Sequence, residues 1–255
     1  MVVCIYKVIK FCIIICLLLF SFFYLKNIKS YLLKNNDIII YLKNNEYKYY
    51  KKPINAIIKN EYIIPGINGK RVDIEKTFYS LETYAISNSS IKYKIIKPNI
   101  SLSNNKNKVI INGNRNKREI SFIINNTKIM NYLNYHNISY VTNNYNYYIL
   151  NKKRYNINYI ADYKDIFKLY DNNYCNNLSI ILNTNYNNCK ENNIYLIKPT
   201  INLSNQNYKH YKDNISSGNI IYINNNFKLE NLILILKEVK FRNYKIILLN
   251  DLIKE

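Results

Sequence analysis

An α/β domain built on a parallel sheet, preceded by an apolar N-terminal helix and a small α+β module, is the fold class this sequence predicts. Three observations predict it. Residues 11–25, "FCIIICLLLFSFFYL", are apolar without a charge. Residues 60–100 carry one Pro/Gly turn, one helical stretch and one alternating run. From Arg118 onward, short apolar runs alternate with segments of helical periodicity.

The apolar run comes first. Val8 and Ile9 extend it across Lys10, which brings it to the short end of the roughly 17 to 25 residues a membrane span needs. A cleaved secretory signal would follow its apolar core with small residues, and "SFFYLK" has bulky ones, so an uncleaved signal anchor over residues 1–29 is the preferred reading. Lysines flank both ends, leaving orientation to the short N-terminal tail, which usually stays inside. The expectation is a single-pass membrane protein with its body outside the cytoplasm.

Residues 30–117 read as a stalk with one strand-like run, "DIIIYLK", followed by the small module. In that module Pro65, Gly66 and Gly69 mark a turn, Asp73 can cap a helix running through Leu81, and "IKYKIIKPNISL" alternates like a strand.

Residues 118–255 repeat strand and helix. "EISFIINN" ends in polar residues, "TKIMNYLNY" sets Ile129 and Leu133 four apart, and "ISYVTN" and "INYIAD" are the next strands. "LSIILNTNYNNC" is ambiguous between strand and helix. "IYLIKPT" and "NIIYINN" are further strands, before a helix with Leu229, Leu232, Ile233, Leu236 and Val239 on one face. "KIILL" is a last strand, and Asn250 can cap "DLIKE".

The formal net charge of +21 would suggest a nucleic-acid partner, but Lys carries most of it. Phosphate and base recognition leans on the guanidinium fork, and Arg is scarce here. Abundant Asn, Ile, Lys and Tyr is a composition bias that interleaves Lys with Tyr by itself, so no nucleic-acid partner is expected. An anionic membrane or wall polymer suits the charge better. Of five cysteines, Cys4, Cys12 and Cys16 lie in or beside the apolar run, leaving Cys175 and Cys189 as a disulfide candidate in an oxidising exterior. His136 and His210 read as surface residues, and the Cys and His spacings give no zinc site.

The segments "REISFIINN", "CKENNIYLIKPTI", "SSGNIIYINNN" and "ILKEVKFRNYKIILLNDLIKE", with "IPGINGKRVDIEKTF" upstream, resemble the polysaccharide deacetylase family, also called the NodB-homology domain, in a membrane-anchored form. The resemblance covers roughly residues 60–255. It implies a distorted (β/α) barrel that removes N-acetyl groups from cell-wall sugars. A divalent metal such as zinc, held by one Asp and two His, would polarise the amide, with a second Asp as base and a late-strand His as acid.

Mapped on this chain, the resemblance sets Asn125 and Asn126 where the paired aspartates should follow the first strand, and Asn224 where the acid histidine should stand. No histidine lies near "RYNINYIADY", where the metal pair should be. A carboxamide is neither a general base nor a good hard-metal ligand. The expectation is therefore a degenerate form with no catalytic set and no cofactor, acting on or binding envelope glycan. Asp162, Asp165 and His210 are the groups from which a rearranged active N-deacetylase could be built; the simpler reading makes the aspartates turn and cap residues and His210 a loop residue. A purely structural envelope scaffold is the third reading.

Overall fold

The computed structural model describes residues 2–81, 90–163, 166–170, 194–205 and 208–255. In chain order the helices are α1 (Val2–Asn35), α2 (Asp37–Asn44), α3 (Glu46–Tyr49), α4 (Ile74–Leu81), α5 (Thr127–Tyr135), α6 (Tyr145–Asn151), α7 (Tyr208–Asn214), α8 (Leu229–Phe241) and α9 (Leu249–Ile253). The strands are β1 (Ile57–Lys59), β2 (Tyr62–Ile64), β3 (Gly69–Val72), β4 (Tyr93–Ile96), β5 (Val109–Ile110), β6 (Glu119–Ile124), β7 (Tyr140–Thr142), β8 (Ile157–Tyr159), β9 (Ala161–Tyr163), β10 (Ile166–Tyr170), β11 (Ile194–Ile197), β12 (Ile201–Leu203), β13 (Ile220–Ile223) and β14 (Lys245–Ile246). They fall into two compact units, Met1–Lys52 with Gly69–Ile96, and Pro53–Asn68 with Lys97–Glu255.

In the first unit, the apolar run is part of α1, and its segment Lys10–Ile28 has a mean hydropathy of 2.2. By length and composition that segment can cross a membrane or serve as a signal sequence. The run "DIIIYLK", expected as a strand, is helix α2 instead. The Asn36 side chain accepts from the backbone N–H groups of Ile38 (3.0 Å) and Ile39 (3.3 Å), which caps the helix. Ile39 and Leu42, three apart, are buried while Ile40 and Tyr41 are exposed, so burial at helical spacing overrides the β preference of the isoleucines.

The Pro/Gly turn leads into β3, which pairs antiparallel with β4. Asp73 caps α4 as expected: its Oδ1 accepts from the Lys76 N–H at 3.2 Å, and Lys94 Nζ lies 3.5 Å away. Val72, Phe78 and Ile91 join Ile39 and Leu42 in a small core.

The second unit holds two sheets. One is mixed, in the order β1-β2-β5-β11-β10-β9; the other runs β12-β13-β6-β7-β8, with β14 pairing the start of β6, and every pairing in it is parallel. Strand β6 is buried on both faces, as central parallel strands are. Its alternation separates two cores. Ile120, Phe122 and Ile124 pack with Ile129, Met130 and Leu133 of α5 and with Leu232, Ile235 and Val239 of α8. Ile123 packs on the other side with Ile63, Ile110, Phe167 and Ile197 of the mixed sheet and with Leu249 and Leu252 of α9.

Besides the connection from β5 to β6, the chain passes between these two sheets at two short corners. At Ile160 it leaves β8 for β9, and between Ile197 and Ile201 it leaves β11 for β12. Thr200 pins the second corner: its hydroxyl donates to Ile111 O (2.6 Å) and accepts from the Ile220 N–H (3.1 Å). The expected α/β class with a parallel sheet is present. Among the described pairings, the two sheets face each other across one core and the strands do not close into a hydrogen-bonded ring.

Candidate functional site

In open parallel sheets, chemistry is placed where the strands end and their loops begin. Here that edge is built from residues following β6, β7, β8, β12 and β13. Register sets Ile124 beside Ile223 and Thr142, so Asn125 and Asn224 continue neighbouring strands. The sequence thus singled out three amides, Asn125, Asn126 and Asn224, that the fold brings to one edge.

Asn126 is bonded at both ends of its amide. Its Oδ1 accepts from the Ile129 N–H (3.2 Å) and caps α5. Its Nδ2 donates to Asn225 O (2.5 Å) and Phe227 O (3.2 Å), which ties the loop after β13 to the end of β6. A carboxylate could keep the cap but could not make the two donations. Asn224 turns the same loop, its Oδ1 accepting from the Asn226 N–H at 3.2 Å. Asn125 is half-buried beside them.

Asn205, which the sequence reading missed, stitches this loop from its other flank. Its Nδ2 donates to Asn226 O, and its Oδ1 accepts from the Lys228 N–H (2.8 Å) and from Asn231 Nδ2 (3.3 Å). The β7 end repeats the chemistry: buried Thr142 accepts from the Asn144 N–H (3.0 Å), and Asn144 caps α6 through the Tyr147 N–H (3.0 Å). The next strand brings Tyr159 against this helix. Tyr145 meets the Tyr159 ring edge-on with centroids 5.4 Å apart, and Tyr148 lies 5.9 Å from it. Burial raises the Tyr148 hydroxyl above the ordinary tyrosine value.

Behind the aromatic group runs a chain of hydrogen bonds. Tyr140 O–H donates to Asn134 Oδ1 (3.0 Å), Asn134 Nδ2 donates to Tyr147 Oη (2.8 Å), and Tyr147 O–H donates to Asn131 Oδ1 (2.7 Å). Tyr140 is wholly buried, and its desolvation pushes the phenol far above its usual range.

The other expected residues lie elsewhere. Asp162 is in strand β9 of the mixed sheet rather than in a turn, because the chain continues past Ile160 into a hairpin with β10. His210 is exposed in helix α7 rather than on a loop. His136 is exposed at the C-terminus of α5. Asn250, expected as a cap, lies inside α9; Leu248 takes the capping position because Leu249, Leu252 and Ile253 bury at helical spacing. Asp165, Cys175, Cys189 and the ambiguous run "LSIILNTNYNNC" lie outside the described residues.

The residues present do not fit the metal that the sequence resemblance implies. Asn125, Asn126, Asn205 and Asn224 offer neutral amides, and those of Asn126 and Asn205 are committed to backbone partners. Among the described residues, no group of three or more His, Cys, Asp and Glu lies close enough to hold a metal ion. What the edge offers is neutral hydrogen bonding beside aromatic rings.

No family model matches the sequence, and no curated protein matches it. Solved structures do. A mutant of BA3943, a CE4 family pseudoenzyme with restored enzymatic activity, superposes with a TM-score of 0.50 at 16% identity, over 84% of this chain and 97% of its own. Wild-type BA3943 from Bacillus anthracis gives 0.48 at 16% identity, over 84% and 94%. A family 4 carbohydrate esterase from Bacillus anthracis gives 0.34 at 15% identity, over 57% and 86%. The chain therefore carries the fold of the CE4 polysaccharide deacetylases.

Proposed function

We propose that this chain is a membrane-anchored, extracytoplasmic protein that uses a deacetylase fold to hold envelope glycan without hydrolysing it. The observation that carries the reading is Asn126. It occupies the position where the resemblance calls for a catalytic carboxylate, and both ends of its amide are spent on holding α5 and the loop after β13. With Asn224 in the place of the acid, neither of these two positions offers a carboxylate base or an imidazole acid for amide hydrolysis.

Amides and tyrosines suit a neutral sugar. Hydroxyl and acetamido groups exchange hydrogen bonds with Asn side chains, and the apolar face of a pyranose lies against an aromatic ring. Tyr145, Tyr148 and Tyr159 cluster beside the strand ends and are the rings assigned to that contact. N-acetylated wall sugars are the ligand class, because the resemblance is to enzymes acting on them. The helix α1 supplies the anchor in this reading.

The test is calorimetric titration of the full chain with N-acetylated chitooligosaccharide and with soluble peptidoglycan fragments, with and without zinc. Binding that is unchanged by zinc and lost in the Tyr145→Ala and Tyr148→Ala chains is the expected result. No binding to either sugar would favour the scaffold reading, which the internal bonding of the amides also supports. Zinc-dependent binding accompanied by acetate release would favour a rearranged N-deacetylase.

A further inference from the structure

The groove between α7 and α8 lies outside the site described above. It is lined by Lys209, Lys212, Leu234, Lys237, Glu238 and Phe241 and has a volume of about 530 Å³. Leu234 and Phe241 are seven residues apart, so they share one face of α8, with Lys237 and Glu238 between them. That face leaves large apolar surface in water: Phe241 is 83% exposed and Leu234 41%.

Its charge is unbalanced. Glu238 is the carboxylate lining the groove, and Arg242 Nε holds its Oε1 at 2.6 Å, with Lys212 Nζ 3.8 Å from its Oε2. Arg242 is itself fixed by Ile215 O at 3.0 Å and Asp213 O at 3.4 Å. Lys209, Lys212 and Lys237 are exposed beside the two apolar side chains and outnumber the exposed carboxylates nearby, Asp213 one turn from Lys209 and Glu230 one turn from Leu234. An apolar tip ringed by long cationic side chains has the chemistry of an interfacial surface: the ring enters the boundary of the bilayer while the ammonium groups meet anionic headgroups.

We propose that the α7/α8 face docks this unit on an anionic membrane surface. A soluble polyanion would satisfy the lysines but gives no reason for an exposed Phe241. A neutral bilayer would accept Phe241 but gives no reason for the ring of lysines. This inference rests on the membrane-anchored reading proposed above, in which the α1 segment, long and apolar enough to cross a bilayer, makes such a surface available to the same chain.

The sequence contains no Trp, so Phe241→Trp introduces a single indole reporter. The full chain carrying this change is reconstituted into vesicles of phosphatidylcholine, alone or mixed with phosphatidylglycerol, with brominated acyl chains as quencher. Docking predicts emission at shorter wavelength and strong quenching in the phosphatidylglycerol vesicles, and water-like emission in phosphatidylcholine alone. Adding Lys209→Ala or Lys237→Ala should lower the docking constant about fivefold for each lysine removed. Phe241 and the lysines are exposed, so these chains should keep the parent circular dichroism spectrum. Water-like, unquenched emission in both lipids overturns the proposal, as does equal quenching in both. A spectral response to soluble polyphosphate without quenching by brominated lipid overturns it in favour of a soluble polyanion.

Discussion

At the start of β6 the chain is held by backbone against backbone, whereas at its end it is held by side-chain amides. Gly218 N–H donates to Glu119 O at 2.6 Å and Gly113 N–H to Gly218 O at 2.7 Å, an approach so close that a Cβ on Gly218 would stand 2.4 Å from Gly113 O. Gly218 also has φ of +88°, where L side chains are disfavoured. At the other end, Asn126 and Asn205 tie other strand ends to the loop after β13, and Asn224 turns that loop. The difference separates two demands on one strand. The start fixes where β13 enters the sheet, which the fold needs; the end is where a catalytic reading would need charged groups, and there amides serve the loops.

The comparison can be broken first at the close-packed end. Gly218→Ala should cost roughly 3 kcal/mol or more, from positive φ and from the clash with Gly113, measured as a lowered denaturation midpoint. A cost below about 1 kcal/mol would mean that the backbone contact is not the constraint. Gly113 offers a sharper version, since its added Cβ would meet Leu252 Cγ at 2.5 Å. Gly113→Ala should be less costly in a Leu252→Ala background than alone, a coupling a double-mutant cycle reads directly.

A smaller effect is expected behind the aromatic group. Tyr140→Phe removes a hydroxyl whose partner, Asn134 Oδ1, is itself in a buried side chain, and should cost about 1 to 3 kcal/mol. The phenol also carries a pH signature. Its folded value is raised above the ordinary 10.0, so its contribution is fully present below pH 10 and is lost as pH rises above 10, where the unfolded chain ionises first. Alkaline unfolding curves of the parent and Tyr140→Phe chains should converge as pH climbs. Parallel curves would contradict the assignment.

The smallest effects belong to the amide end. Asn126→Asp keeps the helix cap but loses both Nδ2 donations, with an expected cost of about 1 to 2 kcal/mol. Asn224→Ala, which loses one bond to the Asn226 N–H, should cost about 0.5 to 1 kcal/mol. A gain in stability from Asn126→Asp would mean that a carboxylate, not an amide, suits this edge.

Much of the second unit was legible in the sequence because its signals are local. The polar ending of "EISFIINN", the Ile129 and Leu133 spacing and the apolar face of α8 each specify an element by themselves. What escaped depends on partners distant in sequence. "DIIIYLK" has strand composition and becomes a helix through the Asn36 cap and the burial of Ile39 and Leu42. "INYIAD" reads as one strand, yet the chain turns from one sheet into the other at Ile160. At the edge, Asn125, Asn126 and Asn224 were found through the resemblance, while Asn205 was hidden among many asparagines. Only its bonds to Asn226, Lys228 and Asn231 distinguish it.

The most direct measurement of the central claim is the metal content of the purified full chain, taken together with acetate release from N-acetylated chitooligosaccharide and peptidoglycan in added zinc or cobalt. An edge of committed amides predicts no stoichiometric metal and no acetate above the protein-free control. One metal per chain with metal-dependent acetate release would contradict it.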